Sequence, residues 1–216
     1  MRHDYFESIA EPARAYVAGL LAADGSILER QRRVTLELAQ RDRELVHFVR
    51  NELAPRFPVR ERVRQNQTAT ALLAITSAQL CMNLSRLGIT PRKSLTLRWP
   101  EGLDGLSARF FLLGYFDRDG FITQSRNGRY AYSRWGLTGT EAFLSAAMQL
   151  ISDEVGVSRR RIRRHREQNV YNLHVNGADA FVVDEWLHSG TSLGLARKRL
   201  ELVAQTDSAA SSSSLL

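Results

Sequence analysis

At 216 residues, with 44% hydrophobic and 25% charged side chains, the chain has the length and composition of one large globular domain or two small ones. No run of 18 apolar residues is present, which excludes a membrane-spanning helix, and a single cysteine, Cys81, excludes an internal disulfide. A net charge of +7, from 30 Lys plus Arg against 23 Asp plus Glu, leaves a polyanionic partner open without requiring one.

The opening stretch, MRHDYFESIAEPAR, carries acids and has no apolar signal core. The expectation is an intracellular protein without a secretory peptide, in keeping with the lone cysteine. A first helix is predicted over roughly residues 11–23, with Pro12 suited to its first turn. Strands follow over about 26–39, a helix over 41–53, two strands within 57–75 and a helix over 77–87. After the connecting PEGLDG (100–105) the order returns: a helix over about 106–118, strands within 121–137, a helix over 139–155, strands within 158–175 and a helix over 177–188. The pattern reads as two αββαββα units, an α+β fold with two antiparallel sheets. The expected division is 1–100, 101–205 and a disordered low-complexity tail over 206–216 (within TDSAASSSSLL).

The duplication extends to residues. YVAGLLAADGSI (Tyr16 to Ile27) aligns with FLLGYFDRDGFI (Phe111 to Ile122), placing Gly19 on Gly114, Asp24 on Asp119 and Gly25 on Gly120, each 95 positions apart. ITPRKSLTL (Ile89 to Leu97) aligns with LGLARKRLEL (Leu193 to Leu202), with Arg92-Lys93 on Arg197-Lys198 at an offset of 105. Glycine inside a helix costs about 1 kcal/mol against alanine. Two glycines at one repeat position therefore predict close backbone contact between the two first helices, helped by Ala15, Ala18 and Ala22. Parallel packing about a pseudo-twofold axis would set Asp24 beside Asp119, each at a helix end whose dipole disfavours an anion. A divalent cation would resolve that conflict, since carboxylates and helix-end carbonyls, here those of Ala23 and Arg118, are hard oxygen ligands. An EF-hand loop does not fit, because its first and twelfth positions would be Tyr115 and Arg126. A plain helix stop at each Asp-Gly stays open.

VAGLLAADG (Val17 to Gly25) and LLGYFDRDG (Leu112 to Gly120) resemble the paired signature motifs of the LAGLIDADG homing endonucleases, in their single-chain, two-repeat form. The likeness runs from residue 11 to about residue 203. It implies first helices at the interface between halves, and sheets forming a saddle over DNA. It implies Asp24 and Asp119 holding catalytic Mg²⁺, with Mn²⁺ or Ca²⁺ able to substitute for binding. It further implies a monomeric, site-specific double-strand endonuclease that cuts across the minor groove and leaves short 3′ overhangs. An RNA maturase or a non-cleaving DNA-binding regulator would use the same fold. The motif's earlier acid is Ala22 in one half and Asp117 in the other, at a position that is not the family's metal ligand.

Only two of the thirty basic residues are lysines, and they are the repeat-equivalent pair Lys93 and Lys198. Lysine is a compact charge able to shift its pKa, unlike guanidinium. The resemblance places a basic residue near the attacking water and scissile phosphate, so both lysines are expected to polarise that water or stabilise the transition state. Chance survival on a solvated surface is the alternative. Gln40, between a strand and a helix, corresponds by the resemblance to a polar residue that organises water; its expected partner position is Gly139.

Alternate residues of a strand share a face. Arg60, Arg62 and Arg64 are predicted on one strand face, and Arg159, Arg161 and Arg163 on its counterpart. Arg30, Arg32, Arg33 and Thr35 extend the first surface; Thr123, Ser125, Tyr130, Tyr132 and Arg134 extend the second. A basic β-surface fits the DNA major groove, and the unlike halves predict a long, asymmetric, pseudo-palindromic double-stranded site. Solvated strands or an RNA-gripping surface are the competing readings.

Overall fold

The computed structural model describes residues 1–63, 69–127, 130–165 and 170–201, apart from the side chains of residues 126, 127, 130 and 131. Arg64 and the 206–216 tail lie outside the described residues, and Tyr130 is described by its backbone alone.

Two helices with no solvent face form the centre. Helix α1 (Pro12–Asp24) starts with proline in its first turn and buries every residue from Ala15 to Ala22. Its counterpart α5 (Gly105–Asp119) buries Ala108 and all of Phe110 to Asp117. A helix apolar all round belongs in a core, and these two pack on each other as well as on the sheets. The crossing is a backbone contact. A Cβ on Gly19 would lie 2.0 Å from the Phe111 carbonyl oxygen, and one on Gly114 would lie 2.1 Å from that of Tyr16. Phe111 and Tyr16 are themselves 95 positions apart, so the crossing is pseudo-symmetric to the atom.

Each central helix runs directly into a four-stranded sheet. The first comprises β1 (Gly25–Leu28), β2 (Arg33–Ala39), β3 (Arg60–Arg62) and β4 (Thr70–Thr76), in the order β1-β2-β4-β3. The second comprises β5 (Gly120–Asn127), β6 (Tyr130–Gly139), β7 (Arg163–Arg164) and β8 (Tyr171–Asn176), in the equivalent order β5-β6-β8-β7. All neighbours are antiparallel. Helices α2 (Arg43–Leu53), α3 (Ala78–Arg86), α6 (Glu141–Val155) and α7 (Ala178–His188) complete the two units, and a one-turn helix α4 (Lys93–Thr96) precedes the connection.

Alternation within the strands divides each sheet into a core face and an open face. Val34, Leu36 and Leu38 pair with Ile75, Leu73 and Ala71 on the first core face; Trp135 and Leu137 pair with Val175 and Leu173 on the second. Trp135 stacks on Phe116 of α5 at 4.9 Å, tying that sheet to the central helix. The connection between units is anchored as well: Trp99 donates to the Leu103 carbonyl at 3.2 Å and packs edge-on against Phe111.

Several boundaries differ from the sequence reading. Arg30 and Arg32 lie on the β1–β2 connection, where Glu29–Gln31 form a 3-10 turn and Arg32 takes a left-handed conformation (φ 48°). Strand β7 is only two residues long, so Arg159 and Arg161 precede it in exposed irregular chain and do not share a strand face with Arg163. Consecutive arginines with no apolar alternation give a strand nothing to bury. Tyr5 and Phe6, ahead of the first motif, are core residues that the pattern of repeats did not reveal.

Candidate active site

The ends of α1 and α5 carry Asp24 and Asp119 to one place, where the charge of Asp24 acts on Asp119. Their surroundings differ. Asp24 is one-third exposed and accepts from Arg118 Nε at 2.6 Å. Arg118 extends across the interface: its Nη1 donates to Asp42 Oδ2 at 2.8 Å, while Arg197 Nη2 donates to Asp42 Oδ1 at 2.6 Å. Asp42 is 2% exposed. Burial opposes its charge, but hydrogen bonds and charge from the two guanidinium groups outweigh burial and hold its carboxyl below the ordinary value.

Asp119 is half-buried, beside the Tyr115 phenol and Lys93. Burial, and next the charge of Asp24, push its carboxyl up to about 6 against the pull of Lys93. With Tyr115, Lys93, Ala22, Ala23 and Thr138 it lines a cavity of about 200 Å³. Tyr115 donates to the Thr138 carbonyl at 2.9 Å.

The lysines occupy matching posts. Lys93 Nζ donates to the carbonyl of Gly25 at 2.5 Å, and Lys198 Nζ to that of Gly120 at 2.6 Å. Lys198 also donates to Phe116 O at 2.9 Å and Arg118 O at 3.2 Å. All three of its ammonium protons are thereby committed to the end of α5, where a cation complements the dipole. Burial pulls both ammonium groups down in pKa, Lys198 to about 8.

The odd acid of the second motif has a structural partner. Asp117, fully buried, accepts from the Tyr16 hydroxyl at 2.5 Å and from the Leu195 amide at 3.1 Å. The repeat counterparts of Tyr16 and Asp117 are Phe111 and Ala22, so the equivalent pair in the other half is apolar at both positions.

Gln40 lies in a 3-10 turn and donates to Glu61 Oε1 at 2.9 Å; its own buried Oε1 has no partner among the described residues. Gly139 is not its counterpart. Gly25 pairs with Leu36 and Gly120 with Leu137, so register aligns Gly139 with Leu38. A Cβ there would lie 2.6 Å from the Tyr115 hydroxyl, so a side chain at this position would displace the phenol.

The donor set fits a divalent cation of the Mg²⁺ kind. Among the described residues no group of three His, Cys, Asp or Glu converges, which leaves two carboxylates and helix-end carbonyls. Mg²⁺ is held in that way, by one or two carboxylates with waters and substrate phosphates filling the other positions. Burial first, and then the charge of Asp24, raise Asp119, and a cation bound there would relieve both.

The open faces of the sheets flank this centre. In the first, Arg33, Thr35, Glu37, Arg60 and Arg62 line one groove, with Thr70 donating to Glu37 Oε1 at 2.7 Å. In the second, register places Thr123, Ser125, Tyr132, Arg134 and Arg163 on the open face with Asn172, His174 and Asn176. Asn176 Oδ1 accepts from Tyr132 (3.1 Å) and Arg134 (3.0 Å). The sequence reading missed this amide-rich strand; the alternation of Asn172, His174 and Asn176 in YNLHVN was its available signal.

Residues 11–88 match the family model of the LAGLIDADG-like domain. No curated protein sequence matches the chain significantly. Among solved structures, the meganuclease I-SmaMI bound to uncleaveable DNA is similar at 13% identity, covering 80% of this chain and 81% of that one, with a TM-score of 0.52. The LAGLIDADG meganuclease I-CpaMI bound to uncleaved DNA is similar at 10% identity, covering 87% of each chain, with a TM-score of 0.53. Residues 11–88 thus resemble a LAGLIDADG-like domain, and the chain has the two-repeat fold of the LAGLIDADG meganucleases.

Proposed function

We propose that the protein is a site-specific double-strand DNA endonuclease hydrolysing one phosphodiester on each strand with divalent metal, Mg²⁺ foremost. The observation that carries this reading is the meeting of Asp24 and Asp119 at two pseudo-symmetric helix ends, between two open β-surfaces that carry arginines. The fold is shared with meganucleases solved on DNA, which supports a duplex as the partner. When bound, a divalent cation supplies Lewis-acid stabilisation of charge developing on phosphoryl oxygens.

In this reading Asp24 and Asp119 hold the cations, with the Ala23 and Arg118 carbonyls close behind. Lys93, beside Asp119 in the small cavity, faces the reacting phosphate. Lys198 acts as a positioning residue that fixes the end of α5. Gln40 orders water in the first unit alone. Cleavage across the minor groove, leaving short 3′ overhangs, is what the family resemblance implies for acids so placed. Arg33, Arg60, Arg62, Arg134 and Arg163, with Thr35, Thr123, Ser125 and Tyr132, contact DNA from the strands; Arg30, Arg32, Arg159 and Arg161 reach it from connections. Unlike faces favour an asymmetric site, read by a monomer.

The test is selection of cleaved sites from a random duplex library in Mg²⁺, repeated with Asp24→Asn and Asp119→Asn. Wild type should enrich one long sequence. Each variant should bind that sequence but fail to cut both strands. A variant that makes double-strand breaks at the wild-type rate would overturn the proposal.

A further inference from the structure

We propose that Arg118 is a built-in counter-ion that makes the two aspartates unequal holders of a divalent cation. The Asp119 side loads first; the Asp24 side loads only against a resident guanidinium. This inference rests on the endonuclease reading and assigns the order in which its two halves are armed.

The geometry is one-sided. Arg118 immediately precedes Asp119 on α5, yet its Nε reaches across the interface to Asp24 Oδ2 at 2.6 Å. Its Nη1 is held by the buried Asp42 at 2.8 Å, and Asp42 is held in turn by Arg197 at 2.6 Å. The Arg118 side chain is 14% exposed. Its rigid fork therefore spans two carboxylates, and release from Asp24 leaves it moored at Asp42 in the same place. The counterpart of Arg118 in the first motif is Ala23, which has no side chain to reach Asp119. Asp119 meets no guanidinium ion pair among the described residues; its cationic neighbours Lys93 and Lys198 are already bound to the Gly25 and Gly120 carbonyls. A cation arriving at Asp119 thus displaces no ion pair, whereas one arriving at Asp24 competes with a charge-assisted hydrogen bond.

The consequence for a two-strand cutter is sequential action. The strand served by Asp119 is cut first, and a nicked duplex accumulates before the linear product, most visibly at limiting metal. The polypeptide encodes this bias at one position, since the motifs are otherwise matched at the glycines and terminal acids.

The test is Mn²⁺ titration of the full-length protein, with free ion followed by electron paramagnetic resonance, in parallel with nick-to-linear ratios on plasmid carrying the selected site. Wild type should bind in two steps separated by about tenfold or more in Kd, the scale of one charge-assisted hydrogen bond. Asp119→Asn should remove the tighter step and Asp24→Asn the weaker. Arg118→Ala should bring the steps together and lower the nicked fraction. Asp42→Asn, which unmoors Arg118 without deleting it, should narrow the gap less, and it serves if Arg118→Ala does not fold. Two equal steps, one shared step, or a gap unchanged in both variants would overturn the inference and leave the endonuclease reading standing. Mn²⁺ binding indifferent to both acids would overturn the metal assignment and the inference with it.

Discussion

The two repeats agree wherever backbone meets backbone and diverge wherever side chain meets side chain. At the helix crossing, Gly19 lies on the Phe111 carbonyl and Gly114 on the Tyr16 carbonyl with nearly the same clearance. At the helix ends, Lys93 and Lys198 hold the carbonyls of the matching glycines. One step away the halves part. The polar pair Tyr16–Asp117 has Phe111 and Ala22 as its image. Asp42, before α2, serves two arginines; Thr140, before α6, caps the helix through Phe143 N and donates to the Leu97 carbonyl. A duplicated chain must keep the positions its pseudo-twofold axis runs past, because no side chain there can be exchanged for another. Elsewhere it needs only complementary pairs, and a pair can change as a unit.

The largest effect should come from breaking the shared feature. Gly19→Ala and Gly114→Ala each drive a methyl group into a carbonyl oxygen of the opposing helix, and backbone cannot move aside as a long side chain does. Each should lose about 3 kcal/mol or more in denaturant unfolding, with the two values within about 1 kcal/mol of each other. If one is tolerated and the other is not, the crossing is not symmetric. Next in size is the unshared ion network. Asp42→Asn removes the buried anion joining Arg118 to Arg197 and should cost about 3 kcal/mol at neutral pH. Thr140→Ala, on the opposite side, should cost about 1 kcal/mol as an ordinary cap. The signs with pH also separate them. Asp42 is held below its ordinary 3.8, so its contribution is complete above that value and is lost as pH falls through the lower, folded one. Wild type should therefore lose its advantage over Asp42→Asn in acid, whereas its advantage over Thr140→Ala should not move.

A smaller effect tests whether the divergent pair is one unit. Tyr16→Phe alone strips a bond from buried Asp117; Asp117→Ala alone orphans the Tyr16 hydroxyl and the Leu195 amide. The double variant reproduces the Phe–Ala pair found at the image position. A double-mutant cycle should give a coupling of about 1–2 kcal/mol, with the double variant costing less than the sum of the singles. Additive costs would mean that the two positions vary independently.

The pattern of agreement also explains what could be read in advance. Helix and strand order, the glycine contact and the neighbouring aspartates were legible because each is imposed twice by the same local chemistry. The lysine pair was legible as a pair, but its geometry was not: sparse lysine predicts a special post without saying that the ammonium binds Gly25 and Gly120 carbonyls. The Arg118–Asp42–Arg197 network was not legible, since it joins residues far apart in sequence and occurs once. Repetition was the source of the signal, so an unrepeated feature carried none. Gly139 falls out of line with Gln40 for a related reason: the units differ in spacing between the motif and the second strand, and only sheet register shows where the extra residues fall.

The smallest expected effect sharpens the comparison at the open faces. Arg60 stands opposite Leu72 in the first sheet, and Arg163 opposite Asn172 in the second; register makes the two arginines equivalent. Their neighbours are not equivalent, with Glu37 near the first and the Asn172–His174–Asn176 strand near the second. If both arginines grip phosphate, Arg60→Ala and Arg163→Ala should each weaken binding about tenfold on every sequence and lower the salt slope by about one. If either reads a guanine, its loss should instead relax preference at a single base pair and leave the slope nearly unchanged. The unlike surroundings favour different roles. Arg60 lies in a groove with Arg33, Arg62 and a carboxylate that can accept from cytosine, the setting for base readout; Arg163 lies beside amides that can read adenine themselves, which leaves it to hold phosphate. Measuring both variants against single-base substitutions of the selected site, at two salt concentrations, separates these outcomes. Identical profiles would show that the sheets read DNA alike despite their different side chains.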